Sequence, residues 1–226
     1  SPNEDTAATN RELSYTVDLT APVISISSIG GDSSSPYSIS DNTPLAAITT
    51  NENADCRASA DGDESYDQML DDVDCTGDGT ATHNCQFSTA IPDSASQGIY
   101  FACRDTAGNK NTALNNLGIT AEIDTVIPVQ SGHSPASGSI IATTSPIITF
   151  NTNENARCRW SLSDQAYGAM PGTNTCDSVY TAAHSCPTNN LIEGLEIVYI
   201  SCGDDTGVSP NEDTAATNRE LSYTVD

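Results

Sequence analysis

Lysine is nearly absent from this chain. Lys110 is the only one, and Lys and Arg together number seven against 31 acidic residues, a formal net charge of −24. So few cations build no basic face to meet phosphates, which excludes nucleic acid as a partner and disfavours anionic lipid surfaces. Aromatic residues are scarce too, at 5%, with one Trp and three Phe. A core drawn from this pool is thin, and small domains with thin cores need crosslinks. No run approaches the ~20 apolar residues of a membrane helix, so no membrane insertion is expected in this segment. There is no Cys-x-x-Cys, the spacing that zinc sites and redox-active thiols favour, and no Asn-x-Ser/Thr acceptor for N-glycans. The chain opens on Ser1 with neither Met nor a signal peptide. It therefore reads as a mature or excised part of something longer.

What is present is repetition. Residues 1–18 read SPNEDTAATNRELSYTVD, and residues 209–226 read the same, letter for letter. A near-perfect repeat at fixed spacing is the mark of an array. A second, weaker repeat divides that period: TTNENADCR at 49–57 matches NTNENARCR at 151–159, and Tyr66, Met69 and His83 match Tyr167, Met170 and His184. This predicts a domain A over 19–124 and a domain B over 125–226, with 1–18 the last strand segment of a preceding repeat.

Alternation sets the fold class. Cys158, Trp160 and Leu162 fall on one face of a strand, Val198, Ile200 and Cys202 on one face of another, and Leu221, Tyr223 and Val225 on that of a third. Domain A repeats the pattern with Cys56, Ala58 and Ala60, with Ile99, Phe101 and Cys103, and with Leu117, Ile119, Ala121 and Ile123. Ala58 stands where domain B has its Trp, so the core of domain A should be smaller there. No segment keeps helical periodicity over three turns, and Gly-Gly, Ser-Pro and Asp-Asn pairs mark turns. The expected architecture is all-β, two tandem immunoglobulin-like (fibronectin III or Ig-type) β-sandwiches.

Eight cysteines divide four and four between the halves. An even count in such small domains predicts disulfides and an oxidising, extracellular or cell-surface setting. Four cysteines permit three connectivities in each domain. Cys56–Cys103 and Cys158–Cys202 are preferred, as core-face strand positions joined across the sandwich. Cys75–Cys85 and Cys176–Cys186 then close a loop poor in apolar residues. Each bridge contributes about 2–4 kcal/mol by restricting the unfolded chain.

Together, Asp18 with Pro22, Asp124 with Pro128, the two TNENAxCR segments, Cys103-Arg104-Asp105 with Gly108-Asn109, and Cys202-Gly203-Asp204 make a pattern. It resembles the Ig-like repeats of bacterial and archaeal surface proteins, adhesins and extracellular filaments. The resemblance covers nearly the whole chain, twice. It departs after Asp204, where a longer loop over 205–217 replaces the Gly-Asn of domain A. It implies a structural or adhesive role with no catalytic residue.

The expectations for function begin at the junctions. The junctions Asp18–Pro22 and Asp124–Pro128 hold no Gly/Ser linker, so a head-to-tail series of such domains should be semi-rigid. Neighbouring copies of the same repeat are the expected partners. A covalent array is favoured over a donor-strand polymer, in which 1–18 of one subunit would compete with 209–226 of another for a single slot. An adhesin whose loops bind a partner or a glycan is the alternative. No enzyme is expected: Gly132-His133-Ser134-Pro135-Ala136 lacks the final Gly of a nucleophile elbow, and His83 and His184 read as structural. No cofactor is expected either. If a cation binds, calcium suits clustered carboxylates, and the candidate ligands are Asp61 and Asp63 in the acidic loop 61–78 and the junction aspartates Asp18 and Asp124. Arg57, Arg157 and Arg159 are expected to pair with acids on a sheet face.

Overall fold

A computed structural model describes residues 14–70, 73–205 and 210–226. It is built of two β-sheet domains joined in series. The first contains β1 (Ile24–Ile29), β2 (Tyr37–Ile39), β3 (Leu45–Ser59), β4 (Val73–Asp74), β5 (Thr80–Gln86), β6 (Ser94–Asp105) and β7 (Leu117–Ile123). The second contains β8 (Gln130–Ser134), β9 (Ser139–Ile141), β10 (Ile147–Ser161), β11 (Thr181–Pro187), β12 (Gly194–Gly203) and β13 (Arg219–Val225). One 3-10 turn spans Tyr167–Ala169.

The long strands β3 and β10 organise each domain, because each serves both layers. Ala46–Thr50 pairs with β1 and Leu45–Thr49 with β5, whereas Ala54–Ser59 pairs with β6. β6 then pairs with β7, which takes β2 in parallel. In the second domain β10 pairs with β8 and β11 through its first half and with β12 through its second, followed by β13 and a parallel β9. This is the layer arrangement of an immunoglobulin-like sandwich. The sequence divided SPIITFNT from CRWSL; the structure runs them together as β10 and breaks its register between Asn151 and Ala156. The break has a local cause. The Thr152 hydroxyl donates to the Glu154 carbonyl at 2.6 Å, and Thr50 does the same to Glu52 at 2.6 Å, satisfying a backbone acceptor that the ladder abandons.

Alternation predicts most of the core. Cys56, Ala58, Ile99, Phe101 and Cys103 are buried in one domain, and Cys158, Trp160, Val198, Ile200, Cys202, Leu221, Tyr223 and Val225 in the other. Leu162 is a correction: it lies just past the end of β10 and is 41% exposed. Ala58 is wholly buried, and beside it lies a cavity of about 150 Å³ lined by Ala60, Val73, Phe87 and Ile91.

All eight cysteines pair as preferred: Cys56–Cys103, Cys75–Cys85, Cys158–Cys202 and Cys176–Cys186. The reason given for the first and third needs correcting. Cys56 lies directly opposite Cys103 on the neighbouring strand, as Cys158 does Cys202, so these bridges join adjacent strands of one layer. Their Cα atoms are 4.1 Å apart, the close approach of a pair that exchanges no ladder hydrogen bonds. The 10-residue bridges span the layers instead. Cys75 donates its N–H to the Cys56 carbonyl at 3.0 Å, at the margin of one layer, while its partner Cys85 sits on β5 in the other.

Candidate metal centre

The register break in β3 and β10 swings one carboxylate to the end of each sandwich. There Glu154 meets Asp124, from the segment that joins the domains, and Asp204, from the Cys-x-Asp end of β12. In the first domain Glu52 meets Asp18 and Asp105 in the same way. Within each group one carboxylate oxygen per residue lies within 4.8 Å of the other two. These are the groups of three or more potential metal ligands among the described residues, and they occupy matching positions of the internal repeat.

Two asparagines hold the buried member of each group. Asn109 donates its backbone N–H to Asp105 Oδ1 at 2.8 Å and its amide Nδ2 to Asp105 Oδ2 at 2.6 Å. Asn211 repeats both bonds to Asp204, at 2.9 and 2.8 Å. The same amide reaches the main chain of the junction: Asn211 Nδ2 donates to the Asp124 carbonyl at 2.8 Å, and Asn109 Nδ2 to that of Asp18 at 3.2 Å. The longer loop after Asp204 is thus an insertion that keeps the asparagine. It hid the match because Asp and Asn stand four apart in one domain and seven apart in the other. Residues 206–209 of that loop, with 1–13 and Asp71 and Asp72 of the acidic loop, lie outside the described residues.

The two groups are electrostatically tense. Burial, then the charges of Asp124 and Asp204, push the Glu154 carboxyl up to about 7. Burial, then Asp18 and Asp105, raise Glu52 above its usual range. Burial alone would raise Asp105, but the Asn109 bonds and the N–H groups of Gly108 and Ala107 outweigh it and hold the carboxyl low. Thr20, bonded through its N–H and hydroxyl at 3.0 and 2.9 Å, lowers Asp18. Glu154 Oε1 is one of four buried side-chain polar atoms without a hydrogen-bond partner among the described residues, with His83 Nδ1, Arg159 Nε and Trp160 Nε1. Three converging carboxylates with no imidazole or thiolate suit a hard cation.

Of the candidate ligands read from the sequence, Asp18 and Asp124 come together with other acids; Asp61 and Asp63 belong to neither group. Asp63 accepts from Asn116 Nδ2 at 2.7 Å, and the Asp61 N–H bonds Ser59 Oγ at 3.2 Å. Glu52, Glu154, Asp105 and Asp204 were not singled out as ligands, although the repeated pattern contains all four. Their signal was the repeated Asn-Glu-Asn and Cys-x-Asp, which recur in both halves without serving the core.

Other singled-out residues take up the following contacts. His184 is buried between Asp177, at 2.6 Å from Nδ1, and Thr152 Oγ1, at 2.8 Å from Nε2. His83 meets Thr50 Oγ1 at 3.3 Å. His133 stacks on Phe150 with ring centroids 5.0 Å apart. The arginines differ from expectation. Arg157 and Arg159 lie over the rings of Tyr180 and Tyr167, at 4.5 and 4.4 Å, with no ion pair among the described residues. Arg57 covers Tyr66 at 4.3 Å and reaches Asp74 only at 4.0 Å. Planar guanidinium stacking on an aromatic face explains the choice.

No family model matches this chain, and no curated protein does. Among solved structures it is similar to the D00–D0 domain of intimin, at 14% identity over 90% of this chain and 100% of that one, with a TM-score of 0.34. It is similar to the titin domains Z1Z2 in complex with telethonin, at 13% identity over 93% and 98%, TM-score 0.29. The tandem Ig repeats of Dlar give 7% identity over 92% and 99%, TM-score 0.26. At these values nothing about function carries over.

Proposed function

We propose that this chain is the repeat unit of an extracellular tandem array, a stalk or filament exposed at the cell surface, whose function is mechanical. One relationship carries the reading. Asp124, where the first domain ends, donates its N–H to the Ile39 carbonyl of that domain at 3.0 Å, and Asp226 donates to the Ile141 carbonyl of the second at 3.0 Å. Asp226 closes the copy of the 18-residue repeat whose other copy ends at Asp18. Asp18 in turn meets Glu52 and Asp105 as Asp124 meets Glu154 and Asp204. Overlaying 209–226 of one unit on 1–18 of the next therefore rebuilds, between units, the junction seen inside the unit. A single joint recurs at every domain.

The pieces suit load bearing. Each domain is closed by two disulfides, so tension cannot extend the chain between bridged cysteines. The four bridges accord with an oxidising compartment, and among the described residues no helix is long and apolar enough to cross a membrane. The test is the mass of the native polypeptide, reduced and denatured. Covalent continuity predicts a chain many times 23.6 kDa. A band at that mass, or a ladder built on it, overturns the covalent array in favour of strand exchange between separate subunits.

A further inference from the structure

We propose that the cavity beside Ala58 is a binding site for a small, uncharged aromatic molecule of the size and kind of indole. This goes beyond the reading as an array unit and does not depend on it, since the cavity lies within the first domain.

The internal repeat shows what the space is shaped for. Ala58 stands two residues after Cys56 and pairs with Phe101 across the ladder; Trp160 stands two after Cys158 and pairs with Ile200. In the second domain the indole of Trp160 is buried in the core. In the first, Ala58 leaves that place open, and the cavity of about 150 Å³ lies beside it. Phe87 takes the position of Thr188, and its buried ring forms one wall of the space without filling it.

The wall does not collapse onto Ala58, because the main chain holds it where the second domain holds its own. Phe87 donates its N–H to the Pro44 carbonyl at 3.2 Å, and Ile91 to the Asn42 carbonyl at 2.7 Å. Thr188 and Leu191 make the matching bonds to Pro146 and Thr144, at 3.0 and 3.1 Å. The Cys75–Cys85 bridge pins the strand just ahead of Phe87. A wall fixed at both ends around a small residue keeps the void that a large residue would fill. The first domain also carries one residue more between these anchors, 87–91 against 188–191, and its exposed residues 88–90 line the mouth of the cavity.

Floor and rim select the ligand. Ala58, Val73, Phe87 and Ile91 form the floor, and none of these side chains offers water a hydrogen bond. An apolar cavity of about this volume takes up a benzene-sized molecule in preference to water, and the Phe87 ring gives an aromatic guest a stacking or edge contact. The exposed Asp61 and Thr89 line the opening, where they can accept from a ring N–H or O–H. The Asp61 carboxylate, in a chain of net charge −24, repels an aromatic acid. The ligand class is therefore neutral, of one or two rings, with a donor on its edge. Binding fills the void and stabilises the domain that lacks the tryptophan.

The experiment titrates indole into the full, oxidised chain and follows amide and methyl NMR. The expected result is saturable shifts at 58–60, 73 and 87–92, with the matching residues 160–162, 174 and 188–191 unmoved, and a dissociation constant on the order of 1 mM or below. At tenfold that concentration the thermal midpoint of the first domain should rise by on the order of 5 °C. Ala58→Leu occupies the floor and should weaken binding at least tenfold. Indoleacetate should bind at least tenfold more weakly than indole, and Asp61→Asn should narrow that gap. Absence of saturable shifts, shifts of equal size in the second domain, or equal affinity in Ala58→Leu each overturns the proposal. Tighter binding of N-acetyltryptophanamide than of indole overturns it too, because the cavity would then belong to a tryptophan side chain of a partner protein. The wild-type NMR map decides the matter even if Ala58→Leu fails to fold.

Discussion

Tyr223 and Tyr15 are the same residue of the 18-residue repeat in opposite surroundings. Tyr223 is fully buried and donates its hydroxyl to the Pro135 carbonyl at 3.0 Å, whereas Tyr15 is 81% exposed. Val225 and Val17 differ likewise, at 5% and 74%. Identical sequence gives core in one place and surface in the other, so the environment rather than the segment decides, and the exposed copy presents side chains suited to a sheet it lacks.

A pair of truncations separates these roles. Tyr223→Ala should destabilise the second domain by about 3–5 kcal/mol, the cost of a large buried ring and its cavity. Tyr15→Ala should change stability by less than about 0.5 kcal/mol, as at other exposed positions. Urea melts of the isolated chain measure both. In a chain carrying a preceding domain, Tyr15→Ala should take on the larger cost.

The disulfides should contribute unequally. Cys158–Cys202 closes 44 residues and Cys176–Cys186 closes 10. Loop-closure entropy predicts about 4 kcal/mol for the longer bridge and about 3 kcal/mol for the shorter. Paired Cys→Ala replacements, compared by denaturant melts at equal slope, test the order. A larger loss from the shorter bridge would show that its tie between layers matters more than chain entropy.

Much of this molecule was legible in advance because burial leaves a period-two imprint. Leu221-x-Tyr223-x-Val225 announces an inward face, and cysteines on such faces announce their partners. The continuity of β10 was not legible, since the Thr152 hydroxyl bond that carries the chain through Asn-Glu-Asn leaves no hydrophobic trace. Nor was the carboxylate group: Asp124, Glu154 and Asp204 are 30 and 50 residues apart in sequence, and only the crossing of β10 between layers brings them to one end. The stacking of Arg157 and Arg159 on tyrosines was missed because charge suggested acids while position gave rings.

The single tryptophan should matter to one domain only. Trp160 is 3% exposed within the second core, and Ala58 takes its strand position in the first, beside the cavity of about 150 Å³. Trp160→Ala should destabilise the second domain by about 3–5 kcal/mol. In the first domain, Ala58→Val or Ala58→Leu should cost far less than overpacking a filled core does, because the added methyls have space to enter. Separate amide-exchange rates for the two domains resolve which has changed.

Acidification should act through His133. Burial, with the charge of Arg219 adding to it, holds this imidazole neutral down to about 4, while in the unfolded chain it protonates near 6.5. Above that value both states are neutral and His133 adds no pH dependence. Between about 6.5 and 4 the unfolded chain takes up a proton that the folded chain refuses, so this residue's share of stability falls as pH falls. Below about 4 both states are protonated and the loss levels off. Carboxylates titrate in the same range, Glu154 in the opposite sense, so the comparison must be with a variant that keeps them. His133→Phe retains a ring against Phe150, 5.0 Å away in the wild type, and should flatten the stability profile between pH 6.5 and 4 relative to wild type. NMR titration of the imidazole, with a midpoint near 4 expected, tests the cause directly; a midpoint near 6.5 would remove it.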